Sequence, residues 1–481
     1  MRTVIDPYDY GYELGRAVRP KAGPVWARAD QSARVIGPMG SGKTMRVFGP
    51  LIRRWPGPVV ATSTKPDLVE LTLDARRADD RPVVAFDPQG IAPSLPRLRW
   101  SPITGAADTR IALARAKALV AGSRTPGSVG ASSEGGAFYR GQAAKVLACF
   151  LHAAALDRTP LGTVLRWARK LTDPVPVSIL ATHPGAGPGW AEVLRTATSG
   201  DSRTVGNMAA TLDAALEPLM HADVVAALEG DGGPPTDLAA LLAAGGTIYI
   251  LGKDSEVDSI TPLTTAITED IFDAAEGCAL LSPAGRLDPP LLGALDEVAN
   301  IAPIPSLRQR VADGRGRGIT IVYGLQAWAS AVARFGPDTA AELAAFTNIV
   351  LVLGGAKDPG WLREISDLCG QVERVRTSRT KGGGQGGDSV SRQTVWEPVL
   401  RPDEIKGLAT GRALVLAGNL PPIITKIEGM WTWETWPAIE KEITVLRAAN
   451  DTVRARTDAV RRRAAAAHAA AWKAGRGRGA A

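Results

Sequence analysis

Residues 33–44 read Ala-Arg-Val-Ile-Gly-Pro-Met-Gly-Ser-Gly-Lys-Thr. A short apolar run, Arg34–Ile36, leads into the loop Gly37, Pro38, Met39, Gly40, Ser41, Gly42, Lys43, Thr44. That loop fits the pattern GxxxxGK[ST] at Gly37, Gly42, Lys43 and Thr44. The glycines let the backbone fold into a nest whose N–H groups face phosphate oxygens. Lys43 brings a point charge to the β- and γ-phosphates, and the Thr44 hydroxyl can reach Mg²⁺. A strand before the loop and a helical pattern after it give the required context. Pro50 is expected to end that helix early. The bland alternative is a chance match in a glycine-rich chain, and the preceding strand counts against it.

Further along, residues 289–301 read PPLLGALDEVANI, an apolar strand ending in Asp296–Glu297. An aspartate at the carboxyl end of a buried strand can hold Mg²⁺, and the next residue is placed to polarise the attacking water. Alone, Asp-Glu could simply open a solvated helix; beside a phosphate loop it is the partner that loop requires. Residues 312–326 read ADGRGRGITIVYGLQ. Gln326, at the end of the next strand, can sense the γ-phosphate or orient water. Arg315 and Arg317 sit between glycines, on what reads as an exposed turn. An arginine there can reach a neighbour's nucleotide as a finger, or merely be a solvated charge near a helix end.

Eight strand-like runs recur: 34–36, 59–62, 83–86, 247–251, 291–295, 319–323, 349–353 and 413–416. Several are apolar throughout, as in strands buried on both faces of a parallel sheet. Between 108 and 242 the pattern turns Ala/Leu-rich and helical, so an all-helical insertion is expected there. The expected division is an N-terminal segment 1–32 with no long element, a nucleotide-binding domain over 33–107 and 243–437, the insertion 108–242, and a basic helical tail 438–481. Residues 377–392 (TSRTKGGGQGGDSVSR) read as a flexible surface loop.

Composition sets the outer limits. The chain has 481 residues, 45% apolar and 22% charged, which suits several globular domains and excludes a fibrous or wholly disordered chain. Three dispersed cysteines exclude a disulfide scaffold and argue against a zinc site. The formal charge is +7, and residues 444–481, with nine basic residues and two acids, carry all of it. Such a tail can hold phosphates or an acidic partner, or be a solvated Ala/Arg helix. No stretch reaches the ~18 apolar residues of a membrane span.

Taken together, VIGPMGSGKT, VVATSTKPDL, VVAFDPQG with RWSPI, and above all LLGALDEVANIAPIPSLRQRVADGRGRGITIVYGLQ resemble the type IV secretion coupling proteins. These are TraG/TraD-like conjugative DNA-transfer ATPases of the FtsK/HerA-type P-loop class. FTNIVLVLGG and RPDEIKGLATGRALVLAGNLPPI extend the resemblance, which spans about residues 5–430. It implies an α/β fold: a RecA-like P-loop NTPase with a mostly parallel central sheet and an inserted all-helical domain. It implies ATP and Mg²⁺ at Lys43, Thr44 and Asp296, with Glu297 acting on water and Gln326 as sensor. It implies a homo-hexamer in which Arg315 is the finger in trans, with DNA in a central channel.

The implied partners are DNA, expected to be single-stranded, a relaxase or other secretion substrate, and a type IV secretion channel or separate membrane anchor. Typical members begin with transmembrane helices. This chain shows none, so a cytoplasmic protein, peripheral at the inner face of the membrane, is expected. Two other functions stay open: a nucleotide-gated docking receptor using the helical insertion, and a cytosolic double-stranded DNA translocase. Lys65 and Asp67 follow a strand near the nucleotide edge and are candidates for supporting it. His152, His183, His221 and His468 lack metal-like spacing and read as ordinary packed or surface residues. Trp431 and Trp433 read as core or interface rather than as base-stacking platforms.

Overall fold

The computed structural model describes residues 6–124, 134–230, 232–253, 259–380 and 389–477. Its strands are β1 (Gly11–Arg19), β2 (Lys21–Arg28), β3 (Ala33–Ile36), β4 (Val59–Ser63), β5 (Val83–Phe86), β6 (Thr247–Leu251), β7 (Leu291–Leu295), β8 (Ile319–Leu325), β9 (Ile349–Leu353), β10 (Gln371–Thr380), β11 (Ser389–Pro398), β12 (Arg412–Ala417) and β13 (Ile423–Lys426). All but β10 and β11 form one sheet, in the order β2-β1-β13-β12-β9-β3-β8-β7-β4-β6-β5. From β9 to β5 every pairing is parallel; the other four strands join antiparallel. All eight apolar runs lie in this sheet.

Burial on both faces explains their composition. In β6, Ile248 and Ile250 join the core on one side, Tyr249 and Leu251 the core on the other. In β7, Leu291 and Leu295 face the first side, Leu292 and Ala294 the second. A period-2 strand with apolar residues at every position can satisfy both only inside a three-layer sandwich.

Between β5 and β6 the regular elements are helical, from Thr109–Gly122 through Leu238–Ala243. This block shares the first core with the sheet, through Leu119, Leu147, Phe150 and Trp167 among others. Its first helix lies so close to helix Thr261–Leu281 that a Cβ on Gly122 would sit 2.6 Å from the Pro262 Cα. Trp100 Nε1 and Arg115 Nη2 both donate to Asp270 Oδ2 across the same junction, at 2.6 and 2.5 Å.

Three local expectations change. Residues 1–32 are not free of long elements: β1 and β2 form a hairpin that extends the sheet, and Arg19–Pro20 supplies its turn. Gly15, at φ 102°, admits the β13 backbone; a Cβ there would meet the Lys426 carbonyl at 2.6 Å. In the segment expected to be a loop, 377–380 and 389–392 are paired strand, Thr377 opposite Arg392 and Ser378 opposite Ser391. The glycines suggested a loop, but the flanks alternate extended-favouring residues; residues 381–388 lie outside the described ones. Pro50 does not end the helix after the phosphate loop. A π-helical turn, Thr44–Phe48, passes into helix Gly49–Arg54, and Pro50 sits in its first turn, where a missing N–H costs nothing.

The C-terminal helix, Trp436–Gly477, is docked over its first half. Ile439 and Ile443 pack with Leu71 and Met430. Arg447 holds Glu70 with two hydrogen bonds, at 3.0 and 2.7 Å. Arg454 Nη2 donates to the Ile91 carbonyl at 2.6 Å. Part of the basic tail is therefore committed to the body of the protein.

Candidate nucleotide site at the carboxyl edge of the sheet

β3, β8 and β7 are adjacent and parallel, so the segments that follow them converge at one edge. The phosphate loop follows β3, pinned by the Gly37 N–H on the Leu325 carbonyl at 3.1 Å. Gly40 and Gly42 have φ of 77° and 88°, the left-handed region the nest requires. Lys43 is buried, and its Nζ donates to the Gly37 carbonyl at 2.6 Å. Burial lowers its pKa, while the charges of Asp296 and Glu297 act to raise it. Met39 lies exposed at the loop's crest.

Asp296 follows β7 and is buried. Thr44 Oγ1 approaches its Oδ2 at 3.4 Å, and its Oδ1 has no partner among the described residues. The pKa of this carboxyl is raised to about 7, chiefly by burial, with Lys43 acting to lower it and Glu297 and Asp67 to raise it. The Ser41 hydroxyl is likewise buried without a partner among the described residues. A buried acceptor facing a threonine hydroxyl and a cationic loop is the donor set a divalent cation shared with a phosphate fits. No cluster of three or more His, Cys, Asp or Glu suited to a metal exists among the described residues. Any cation at this site therefore depends on phosphate or water oxygens as well.

Glu297 adopts φ 54°, ψ 44°, a strained conformation for a non-glycine residue. Gln326 Nε2 holds it, donating to Glu297 Oε1 at 2.8 Å. Two supporting residues escaped the sequence reading. Gly324 in β8 leaves room for the Asp296 carboxylate: a Cβ there would lie 2.7 Å from Oδ1. Thr62 in β4 donates to the Asp296 carbonyl at 2.8 Å. A glycine inside an apolar strand was the available signal for the first; nothing local marks the second. Asp67, a sequence candidate, is close enough for its charge to act on Asp296, and burial raises its own pKa.

Arg315 is not in this group. It lies in the last turn of helix Leu307–Arg317, not on a turn, and that helix enters β8 at its amino end. Gln326 leaves β8 at the other end, roughly 20 Å of strand away. Arg315 Nε donates to Asp30 Oδ2 at 2.9 Å, and its side chain is 55% exposed. Trp431 and Trp433 each lie against an arginine of the phosphate-loop helices, Arg46 at 4.6 Å and Arg54 at 4.3 Å. His152 is buried between the Ala106 carbonyl and the Gly187 N–H. No described helix is long and apolar enough to cross a membrane.

Comparison with known proteins gives two family matches. The family described as type IV secretory system conjugative DNA transfer matches residues 11–129. The family described as the TraM recognition site of TraD and TraG matches residues 290–410. Among solved structures, the bacterial conjugative coupling protein TrwBdeltaN70 superposes with a TM-score of 0.61 at 19% identity, over 83% of this chain and 85% of that one. The plasmid coupling protein TrwB in complex with ADP and Mg²⁺ gives 0.60 at 19% identity, over 83% and 86%. These likenesses establish the fold. No curated protein matches the sequence.

Proposed function

We propose that this chain, which belongs to the type IV secretion coupling proteins of conjugative DNA transfer, fills that role as an ATP-hydrolysing motor assembled as a ring, most simply a homo-hexamer. The observation that carries the reading is the split of the site. Lys43, Thr44, Asp296, Glu297 and Gln326 gather at one edge of the sheet, while Arg315 stands exposed at the far end of the same strand as Gln326. An arginine so placed cannot serve its own subunit's nucleotide, but it can serve a neighbour's.

In this reading the loop amides and Lys43 bind the β- and γ-phosphates of ATP. Thr44 and Asp296 hold Mg²⁺, which when bound neutralises charge on the phosphate oxygens. Glu297, aimed by Gln326, accepts the proton of the attacking water. Arg315 of an adjacent copy stabilises the charge that develops on the γ-phosphate. The TrwB complex with ADP and Mg²⁺ supports the same ligands here. The substrate is proposed to be single-stranded DNA with its relaxase, delivered to a type IV channel from the cytoplasmic side of the membrane.

The test is ATP hydrolysis by the full chain with and without single- and double-stranded DNA, Lys43→Ala serving as control. Stimulation by single strands, lost in the variant, is expected. DNA affinity should fall steeply with salt, as contacts to phosphates require. Turnover that DNA does not change, or salt-independent DNA binding, overturns the motor reading.

A further inference from the structure

Helix Leu307–Arg317 carries Arg315 and is fastened along helix Thr261–Leu281 by an ion network centred on the buried pair Arg310–Glu269 and reaching the surface at Asp273 and Arg317. Glu269 accepts the Ser306 N–H at 2.9 Å and the Ser306 hydroxyl at 2.6 Å, closing the start of the Arg315 helix. Arg310, 6% exposed, bonds Glu269 at 2.8 Å, Asp273 at 2.6 Å and Glu276 at 2.9 Å. Glu276 also takes Arg317 at 2.9 Å. The three acids stand at i, i+4 and i+7, one face of one helix, and the two arginines at i and i+7 of the other. Arg310 also lies 5.3 Å from the centre of the Phe272 ring.

Stability is a poor reason for such an arrangement. A buried ion pair is matched or bettered by apolar residues of the same volume, and what it can supply instead is a defined register. Here the register is that of the helix ending in Arg315. The acidic helix also touches the nucleotide edge. Thr261 Oγ1 donates to the Asn300 carbonyl at 3.0 Å and Thr264 Oγ1 to the Ile301 carbonyl, both in the helix that Glu297 opens.

We infer that Arg310 is a positioning residue for Arg315: through Glu269, Asp273 and Glu276 it sets the helix that presents Arg315 to the neighbouring copy's nucleotide. The inference rests on the proposal that Arg315 acts in trans. An error of about 1 Å in such a group costs about 10²-fold in rate. Arg310→Lys keeps the charge but loses the fork that spans three carboxylates.

The experiment measures ATP hydrolysis and nucleotide affinity for full-length Arg310→Lys, Arg315→Ala and Lys43→Ala, singly and as pairwise mixed rings. Arg310→Lys is expected to lose about 10- to 100-fold in kcat while binding nucleotide normally. Mixing it with Lys43→Ala, whose own site is dead but whose Arg315 is sound, should raise the rate above either alone, by about 3-fold if the single loss is tenfold and about 25-fold if it is a hundredfold. Arg315→Ala mixed with Lys43→Ala is the reference and should behave the same way. If Arg315→Ala is rescued and Arg310→Lys is not, Arg310 is only a structural bridge and the inference falls while the trans reading stands. If neither is rescued, the trans reading falls and takes the inference with it. Undiminished activity of Arg310→Lys also overturns it. Should Arg310→Lys fail to fold, Glu269→Gln, which keeps side-chain size and a contact to Ser306, must give the same loss and the same rescue.

Discussion

The two ends of β8 are built in opposite ways. At its carboxyl end the functional groups are buried and held by their own chain: Lys43 on the Gly37 carbonyl, Gln326 on Glu297, Asp296 beside Thr44. Two of its polar atoms, Asp296 Oδ1 and Ser41 Oγ, have no partners among the described residues. At its amino end Arg315 is half in solvent and, among the described residues, pairs with one acid, Asp30. One end is a preorganised pocket; the other is an exposed charge at the end of a helix. The ring proposed above would bring the amino edge of one subunit to the carboxyl edge of the next.

Breaking either end should separate chemistry from binding. Arg315→Ala is expected to slow ATP hydrolysis by about 10³-fold or more, the worth of an arginine finger. Nucleotide affinity, measured by calorimetry on the isolated subunit, should not change. Glu297→Gln should lower kcat by about 10²- to 10⁴-fold, again with binding retained. Equal loss of affinity in both would erase the distinction between the two ends.

Gly324→Ala probes the pocket end alone. The added methyl meets Asp296 Oδ1, so Mg²⁺-dependent nucleotide affinity should fall by about 10- to 100-fold, as when a group supporting a metal ligand is disturbed. Thermal melting of the ligand-free protein gives a further test. The folded-state pKa of Asp296 is raised to about 7, so the group favours folding below its unfolded pKa. That contribution is lost as pH rises through about 7. Asp296→Asn should therefore melt higher than the parent at pH 8, the gap closing towards pH 4. Asp30→Ala should have the smallest effect: Asp30 is largely buried, but its two arginines, Arg28 and Arg315, are more than half exposed, so the pairing is worth about 1 kcal/mol and melting should move little. A large loss of activity there would mean that Asp30, too, aims Arg315.

Much of the pocket was legible because it is written in short spans. The loop Gly37–Thr44 specifies a nest through glycine and lysine spacing. Leu291–Leu295 declares a doubly buried strand ending in two acids. Gln326 follows from its place after another such strand. Ranges that read as irregular were misjudged where a partner supplied the order. Gly11–Arg19 is a strand because β13 and β2 flank it. Thr377–Thr380 is one because Ser389–Arg392 pairs with it.

By itself, then, the sequence determined which residues gather at the carboxyl edge and the strands that deliver them, because a glycine-lysine loop and strand burial depend on residues a few positions apart. Only the tertiary structure decided that Arg315 and Gln326 stand at opposite ends of one strand. Only it brought Gly324 against Asp296, and Arg310 onto three acids of a helix some forty residues earlier. Those relations come from the order of strands in the sheet and from how two helices lie side by side, and long-range packing leaves no periodic mark along the chain.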